Sequence, residues 1–347
     1  MKEREIFLDR LRVAAACAVV LLHTITGIMD ATDMESYPFE NKVFFVALDL
    51  VCWCVPVFLL ISGYLFLNPV RKISMKEMMT KYVRRIVLAL FLFGVPYACL
   101  EQIALEKNFR WSMVGKAFLM VLRGESWSHM WYLYLLSFLY LLTPALKWLL
   151  SHVPRMAVYA FLSILFILCS VWPYAAKLFE LEALAAITEQ GIYFFYYICG
   201  YLFATWDVER NRRGTKTGSC SGRMLGCAAL LAAGMAVSRL SGAYTIQMAY
   251  NYPFTTVLSL LIFGWGFTAP RGQSKWNLFW EQAASLSFAV YLVHPVFLNL
   301  AYKLFHVSPL SFAIGVSLPL FLMCTLFLSM LSAWALRKIP FLRRYVL

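Results

Sequence analysis

Charge is scarce in this sequence: 14% of its 347 residues are charged, 62% are hydrophobic, and the mean hydropathy is +0.70. A water-soluble fold of that composition would leave more apolar surface than its polar residues can cover. A fixed-period repeat, a heptad pattern and a low-complexity tract are missing too, which excludes solenoids, coiled coils and disordered tails. No CxxC pair occurs among the nine cysteines. Cys17, Cys52, Cys54, Cys169, Cys199, Cys227 and Cys324 fall in apolar stretches and read as small core hydrophobes, so neither a disulfide framework nor a metal site is expected.

Long apolar runs are what the chain has instead. A membrane span needs about 20 mostly apolar residues, and ten stretches qualify: 13–31, 43–67, 86–104, 130–150, 156–175, 190–206, 224–240, 253–269, 280–304 and 310–336. Continuous rather than alternating hydrophobicity selects helices over a barrel. The fold class expected is therefore all-α, a polytopic integral membrane protein of about ten transmembrane helices.

The net charge of +13 encodes orientation rather than nucleic-acid binding. With the N-terminus in the cytoplasm, one side receives Lys2, Arg4, Arg10, Arg12, the basic run 71–85, Lys147, Arg155, the run 210–223, Arg271, Lys275 and the tail 337–344. These are most of the 31 Lys and Arg, so the positive-inside rule places both termini in the cytoplasm. Asp30, Asp33, Glu35 and Glu40 in the first outside loop and Glu180, Glu182 and Glu189 in the third agree. The first span runs past His23 without a cleavage site and is expected to be retained. Residues 1–347 are read as one membrane-embedded domain, in which a flexible cytoplasmic loop, 207–223, divides helices at 13–206 from helices at 224–336.

An ionisable group in a membrane helix is costly enough to be a functional hypothesis by default. Arg12 and His23 are eleven residues apart, three turns plus about 20°, so they share one helix face about 16 Å apart. Asp9, one turn before Arg12, can orient its guanidinium. An anionic head at the cytoplasmic mouth and a long arm reaching inward would fit this face, which is the shape of a coenzyme A thioester. His23 would then serve as base or as acyl-accepting nucleophile. The other reading, of equal weight on these residues alone, is a positive-inside anchor and a hydrogen-bonded core histidine.

Further candidates carry paired readings. Ser62 and Gly63 offer a hydroxyl and a close backbone approach to a ligand, or simply a helix contact. Arg84 and Arg85, near Lys81, Arg71 and Lys72, suit phosphates of a donor, lipid headgroups or topology signalling. Ser287, Tyr291 and His294 share a face of the ninth span and could meet an acceptor hydroxyl from outside, unless the His294 imidazole serves a kink at Pro295. Asp49, a turn or two inside the outer end of the second span, and Trp131, opening the fourth, are assigned to the same acceptor side.

Five pieces, in order, resemble the acyltransferase-3 family of integral membrane acyltransferases: LDRLRVAAACAVVLLHT (8–24), VPVFLLISGYLF (55–66), KYVRRIVLALFLFGVPY (81–97), HMWYLYLL (129–136) and SLSFAVYLVHPVF (285–297). The Asp-x2-Arg-x10-His pattern opening the first span is the most specific. The resemblance implies about ten helices, an acyl-CoA donor, usually acetyl-CoA, approached from the cytoplasm, and a hydroxyl acceptor on a surface glycan or lipid-linked precursor. It also implies Arg12 and His23 as the essential pair, with Arg84 or Arg85 as the basic motif of the third helix. Two departures stand out: Pro56 where many members carry an acidic residue, and no appended extracytoplasmic hydrolase-like domain.

The function expected is thus an O-acyltransferase in a bacterial inner or plasma membrane, with membrane lipids and a glycan or lipid-linked acceptor as partners, no nucleic acid, and self-association left open. A transporter or flippase for a polyprenyl-linked or small anionic substrate is the rival reading, but the six-plus-four division shows no paired halves with matching broken helices. A sensor or anchoring subunit without chemistry is the third.

Overall fold

Hydrocarbon offers a backbone no hydrogen-bond partner, so a chain immersed in it satisfies its own amides within helices. The structure, a computed structural model, describes residues 5–179, 181, 188–213, 220–242, 249–270 and 274–347. It is 83% helical, with no strand among the described residues. Lys2, Arg4, Glu180, Glu182 and Arg271, which bear on orientation, lie outside them.

In chain order the helices are α1 (Ile6–Met29), α2 (Pro38–Phe66), α3 (Met75–Glu106), α4 (Ser112–Arg123), α5 (Ser128–His152), α6 (Arg155–Leu178), α7 (Ile192–Arg213), α8 (Ser221–Leu240), α9 (Pro253–Thr268), α10 (Asn277–Leu304), α11 (Ile314–Leu336) and α12 (Pro340–Tyr345). All ten apolar stretches are helical, but only eight helices among the described residues, α1, α2, α3, α5, α6, α8, α10 and α11, are long and apolar enough to cross a membrane. The two others differ for separate reasons. α9 has 16 residues, short of a straight span, and α7 ends in a run of charges, Asp207, Glu209, Arg210, Arg212 and Arg213. That helix continues seven residues past the expected boundary at 206, and α8 begins at Ser221, so both ends of the expected loop 207–223 are helical.

The chain divides into two compact units, Met1–Val70 with Val153–Ala333, and Arg71–His152 with Trp334–Leu347. In the first unit α2 and α7 cross at backbone contact. A Cβ on Gly63 would lie 1.9 Å from the Tyr197 carbonyl oxygen, and one on Gly200 would lie 2.4 Å from the Leu60 carbonyl oxygen. Small residues permit such approach between membrane helices. α1 packs on α10, and α8 on α9 and the first half of α2.

Buried charges tie the first unit together. Arg239 of α8 grips Asp49 of α2 with two hydrogen bonds, Nε to Oδ2 at 2.9 Å and Nη2 to Oδ1 at 3.2 Å, and its guanidinium lies over the Phe45 ring. Both side chains are buried. The Tyr64 hydroxyl of α2 donates to Asp207 of α7 at 2.8 Å, and Arg210 closes on the other oxygen of that carboxylate while covering the Phe267 ring of α9. Phe7 of α1 meets Tyr64, Phe263 and Phe267 edge-on, closing an aromatic cluster at this end of the unit. Cys52, Cys54, Cys169 and Cys199 are buried as expected, but Cys227 and Cys324 are exposed, on outward helix faces where lipid takes the place of a core.

In the second unit α4 packs on α3 through Met113, Ala117 and Val121, one residue per turn. Gln102 of α3 donates to the Ala98 and Met113 carbonyls, each at 3.2 Å, and Ser126 donates to the Gly94 carbonyl at 3.0 Å.

Two outcomes follow for stability. Arg239→Ala removes the counter-charge of a buried carboxylate and is expected to cost about 3–5 kcal/mol, read as a lower melting temperature in detergent; the Asp49→Asn/Arg239→Gln double variant should melt above either Asp49→Ala or Arg239→Ala. Gly200→Ala drives a methyl into backbone and should abolish the folded, monodisperse species in size-exclusion chromatography.

Candidate active site

α1 is built for an acid near its start and a base near its end. Asp9 sits in the first helical turn, where the helix dipole favours a carboxylate. Although only 1% exposed, it accepts a charge-assisted hydrogen bond from Arg12 Nη1 at 3.0 Å. The Arg12 side chain keeps 27% of its surface exposed, so the guanidinium is oriented by Asp9 and still presents area to a ligand.

His23 is half-buried on the same helix. Its ring meets that of His294, centroid to centroid at 5.2 Å and tilted by 39°. α1 and α10 run parallel here: the Tyr302 hydroxyl donates to the Thr24 carbonyl at 2.8 Å and its ring packs against Gly27, so the contacts advance together along both chains. Each histidine stands seventeen residues into its helix, counted from Ile6 and from Asn277. The ring contact and parallel packing put His294, read in the sequence as facing an acceptor from outside, beside His23.

His294 is fully buried, and its Nδ1 lies 3.1 Å from the Val290 carbonyl oxygen. That carbonyl is not the one Pro295 deprives of a partner, which belongs to Tyr291 four residues before the proline. The imidazole thus does not serve the kink in the way the sequence suggests. The Tyr291 ring lies 6.3 Å from that of His294, whereas Ser287 turns its hydroxyl back to the Ala284 carbonyl at 2.7 Å.

The remaining candidates are placed elsewhere. Gly63 is accounted for by the α2–α7 crossing, and Ser62 is buried beside it. Asp49 lies eleven residues into α2, because the helix starts at Pro38 rather than near 43, and it is held by Arg239. This ion pair occupies both oxygens of the carboxylate that the sequence assigns to the acceptor side. Arg239 itself is not among the sequence candidates, though a charge inside the apolar stretch 224–240 is a signal that it needs a partner. Arg84, Arg85 and Trp131 belong to the second unit. There Arg85 Nε donates to the Val346 carbonyl at 2.8 Å, the Arg84 guanidinium lies over the Tyr345 ring, and Trp131 meets the Tyr132 ring edge-on.

A family model described as an acyltransferase domain matches residues 5–338. A multi-pass α-helical chain with this match over nearly its whole length belongs to the acyltransferase-3 family, and is a membrane acyltransferase. No curated protein and no solved structure matches the chain.

The proximity of the two histidines is open to a direct check. The His23→Cys/His294→Cys double variant, treated with the membrane-permeant thiol bridge dibromobimane, should yield the 23–294 cross-linked peptide in mass spectrometry; its absence while cysteines elsewhere react would refute the pairing.

Proposed function

We propose that this acyltransferase takes an acyl group, in the first instance acetyl, from a coenzyme A thioester supplied on the cytoplasmic side and passes it to a hydroxyl of a cell-surface glycan or its lipid-linked precursor. The observation that supports this reading most is α1 itself. One helix face carries an arginine oriented by a buried acid and, about 16 Å further on, the half-buried His23.

Arg12 holds donor phosphate by charge-assisted hydrogen bonds, and the pantetheine arm runs along α1 toward His23. One ring nitrogen of His23 removes the proton of the acceptor hydroxyl as its oxygen attacks the thioester carbonyl. The new ester C–O bond forms, the C–S bond breaks, and the proton passes to the departing sulfur. Arg84 and Arg85 enter from the sequence pattern alone, as cationic residues suited to phosphate, of which Arg84 is the exposed one. The charge distribution supports an orientation with both termini in the cytoplasm; residence in a bacterial inner or plasma membrane, with lipids and the acceptor as partners, is part of the same proposal.

The test uses vesicles of inverted membrane containing the full chain, given acetyl-CoA labelled in its acetyl group. Label should enter the lipid and glycan fraction with the parent chain. It should fall to background with His23→Ala, which melts as the parent does, and by at least about 100-fold in kcat/KM per folded chain with Arg12→Ala, whose melting point drops because Asp9 loses its counter-charge. A His23→Ala chain that transfers label at the parental rate would refute the assignment.

A further inference from the structure

α11 is long and apolar enough to cross a membrane and ends at Leu336, and α12 begins at Pro340, so three residues separate a span from the short helix after it. Turn hydrogen bonds close the step, from the Lys338 N–H to the Ala335 carbonyl at 3.0 Å and from the Ile339 N–H to the Leu336 carbonyl at 3.1 Å. α12 therefore starts where hydrocarbon gives way to headgroups. Within the second unit it is fastened to the entrance of α3, where Arg85 Nε donates to the Val346 carbonyl at 2.8 Å and Val346 is buried. The segment 334–347 contains Arg337, Lys338, Arg343 and Arg344 and no acidic residue. Arg343 and Arg344 are exposed, and so are Ile339 and Phe341. Arg84 of α3 and Arg344 of α12 both lie over the Tyr345 ring, at 5.1 and 5.3 Å from its centroid, which gathers two like charges at one aromatic side chain. Glu77, the acid nearest Arg84 along α3, is engaged by Lys81 at 3.6 Å. Among the described residues none of Arg84, Lys338, Arg343 and Arg344 has a carboxylate partner. Lys338 lies instead over the Trp334 ring, 3.4 Å from its centroid. Ring faces attract these cations without neutralising them.

We propose that α12 is a docking surface for anionic phospholipid: headgroup phosphates sit on Arg343 and Arg344, and Ile339 and Phe341 enter the boundary of the acyl chains. Arg84, beside Arg344 at the Tyr345 ring, adds to the positive field. A free phosphate satisfies the guanidiniums but leaves Ile339 and Phe341 in water, whereas a lipid satisfies both kinds of side chain at once. The depth of α12 is set by the span that precedes it, so headgroups already lie at hand. Docking also reaches α3, because the segment that the lipid holds is the one that carries the Val346 carbonyl to Arg85 and the Tyr345 ring to Arg84. The proposal is independent of the acyl-transfer reading and needs only the membrane.

The experiment titrates the full chain, in a non-ionic detergent, with short-chain phosphatidylglycerol, with phosphatidylcholine of the same chain length, and with inorganic phosphate. Bound lipid is counted by native mass spectrometry, and the melting temperature is recorded in all three series. Phosphatidylglycerol should bind at least about tenfold more tightly than phosphatidylcholine and raise the melting temperature, while phosphate leaves it unmoved. Arg343→Gln/Arg344→Gln, melting as the parent does without lipid, should bind phosphatidylglycerol about tenfold or more weakly. Arg212→Gln/Arg213→Gln removes the same charge from the exposed end of α7 and should change that binding by less than about twofold. Phe341→Ser leaves the charge intact and should weaken it by about threefold or more. Equal binding of the two lipids, equal losses in the two double variants, or no loss with Phe341→Ser would each overturn the proposal. Stabilisation by phosphate equal to that by phosphatidylglycerol would overturn it too, by making the cations a site for the free ion.

Discussion

A charge carried away from water must find an opposite charge or strong hydrogen bonds on the way, and the first unit is organised around that demand. Three deeply buried acids among its described residues, Asp9, Asp49 and Asp207, each hold an arginine: Arg12, Arg239 and Arg210. Two of these pairs each form within one turn of a single helix, and the third joins α2 to α8. The within-helix pairs use the helix ends well. Asp9 sits where α1 presents its positive pole, and Arg210 sits where α7 presents its negative one. The third pair has no such help and relies on double hydrogen bonding and the aromatic face of Phe45.

These pairs have different consequences for function. Asp49 and Arg239 saturate each other in the interior, which is what a structural clasp requires. Asp9 is buried while Arg12 is partly exposed, so that pair orients a cation rather than neutralising it completely. Among the histidines of these two helices, His294 is fully buried and His23 half-buried.

Features set by local spacing are legible in the amino-acid sequence. The apolar runs are helices because hydrophobic length alone selects them, and Asp9, Arg12 and His23 share a face because the helical repeat puts them there. Contacts that depend on how helices meet are not legible in that way. Gly63 reads in the sequence as either a ligand approach or a helix contact, and only the fold shows the latter, where a Cβ at that position would collide with the Tyr197 carbonyl. Asp49 reads as a boundary acid because its partner lies 190 residues further along the chain. His294 stands out as costly, but its meeting with His23 needs the parallel packing of α1 and α10, which no periodicity within either helix contains. The end of α7 reads as a linker because of its charges, whereas Asp207 and Arg210 are anchored by Tyr64 and Phe267.

The α2–α7 crossing also limits how the first unit can move. Helices separated by side chains can roll or slip by letting rotamers change, but here backbone meets backbone at Gly63 and Gly200 and there is no rotamer to give. Neither helix can advance by a residue without bringing a Cβ against a carbonyl oxygen. Relative movement of this pair is therefore left to joints within the helices, and the interruption of α2 at Cys52 and Trp53 is such a joint. The half of α2 that carries Asp49 can swing there together with α8, while the half that carries Tyr64 stays fixed to α7.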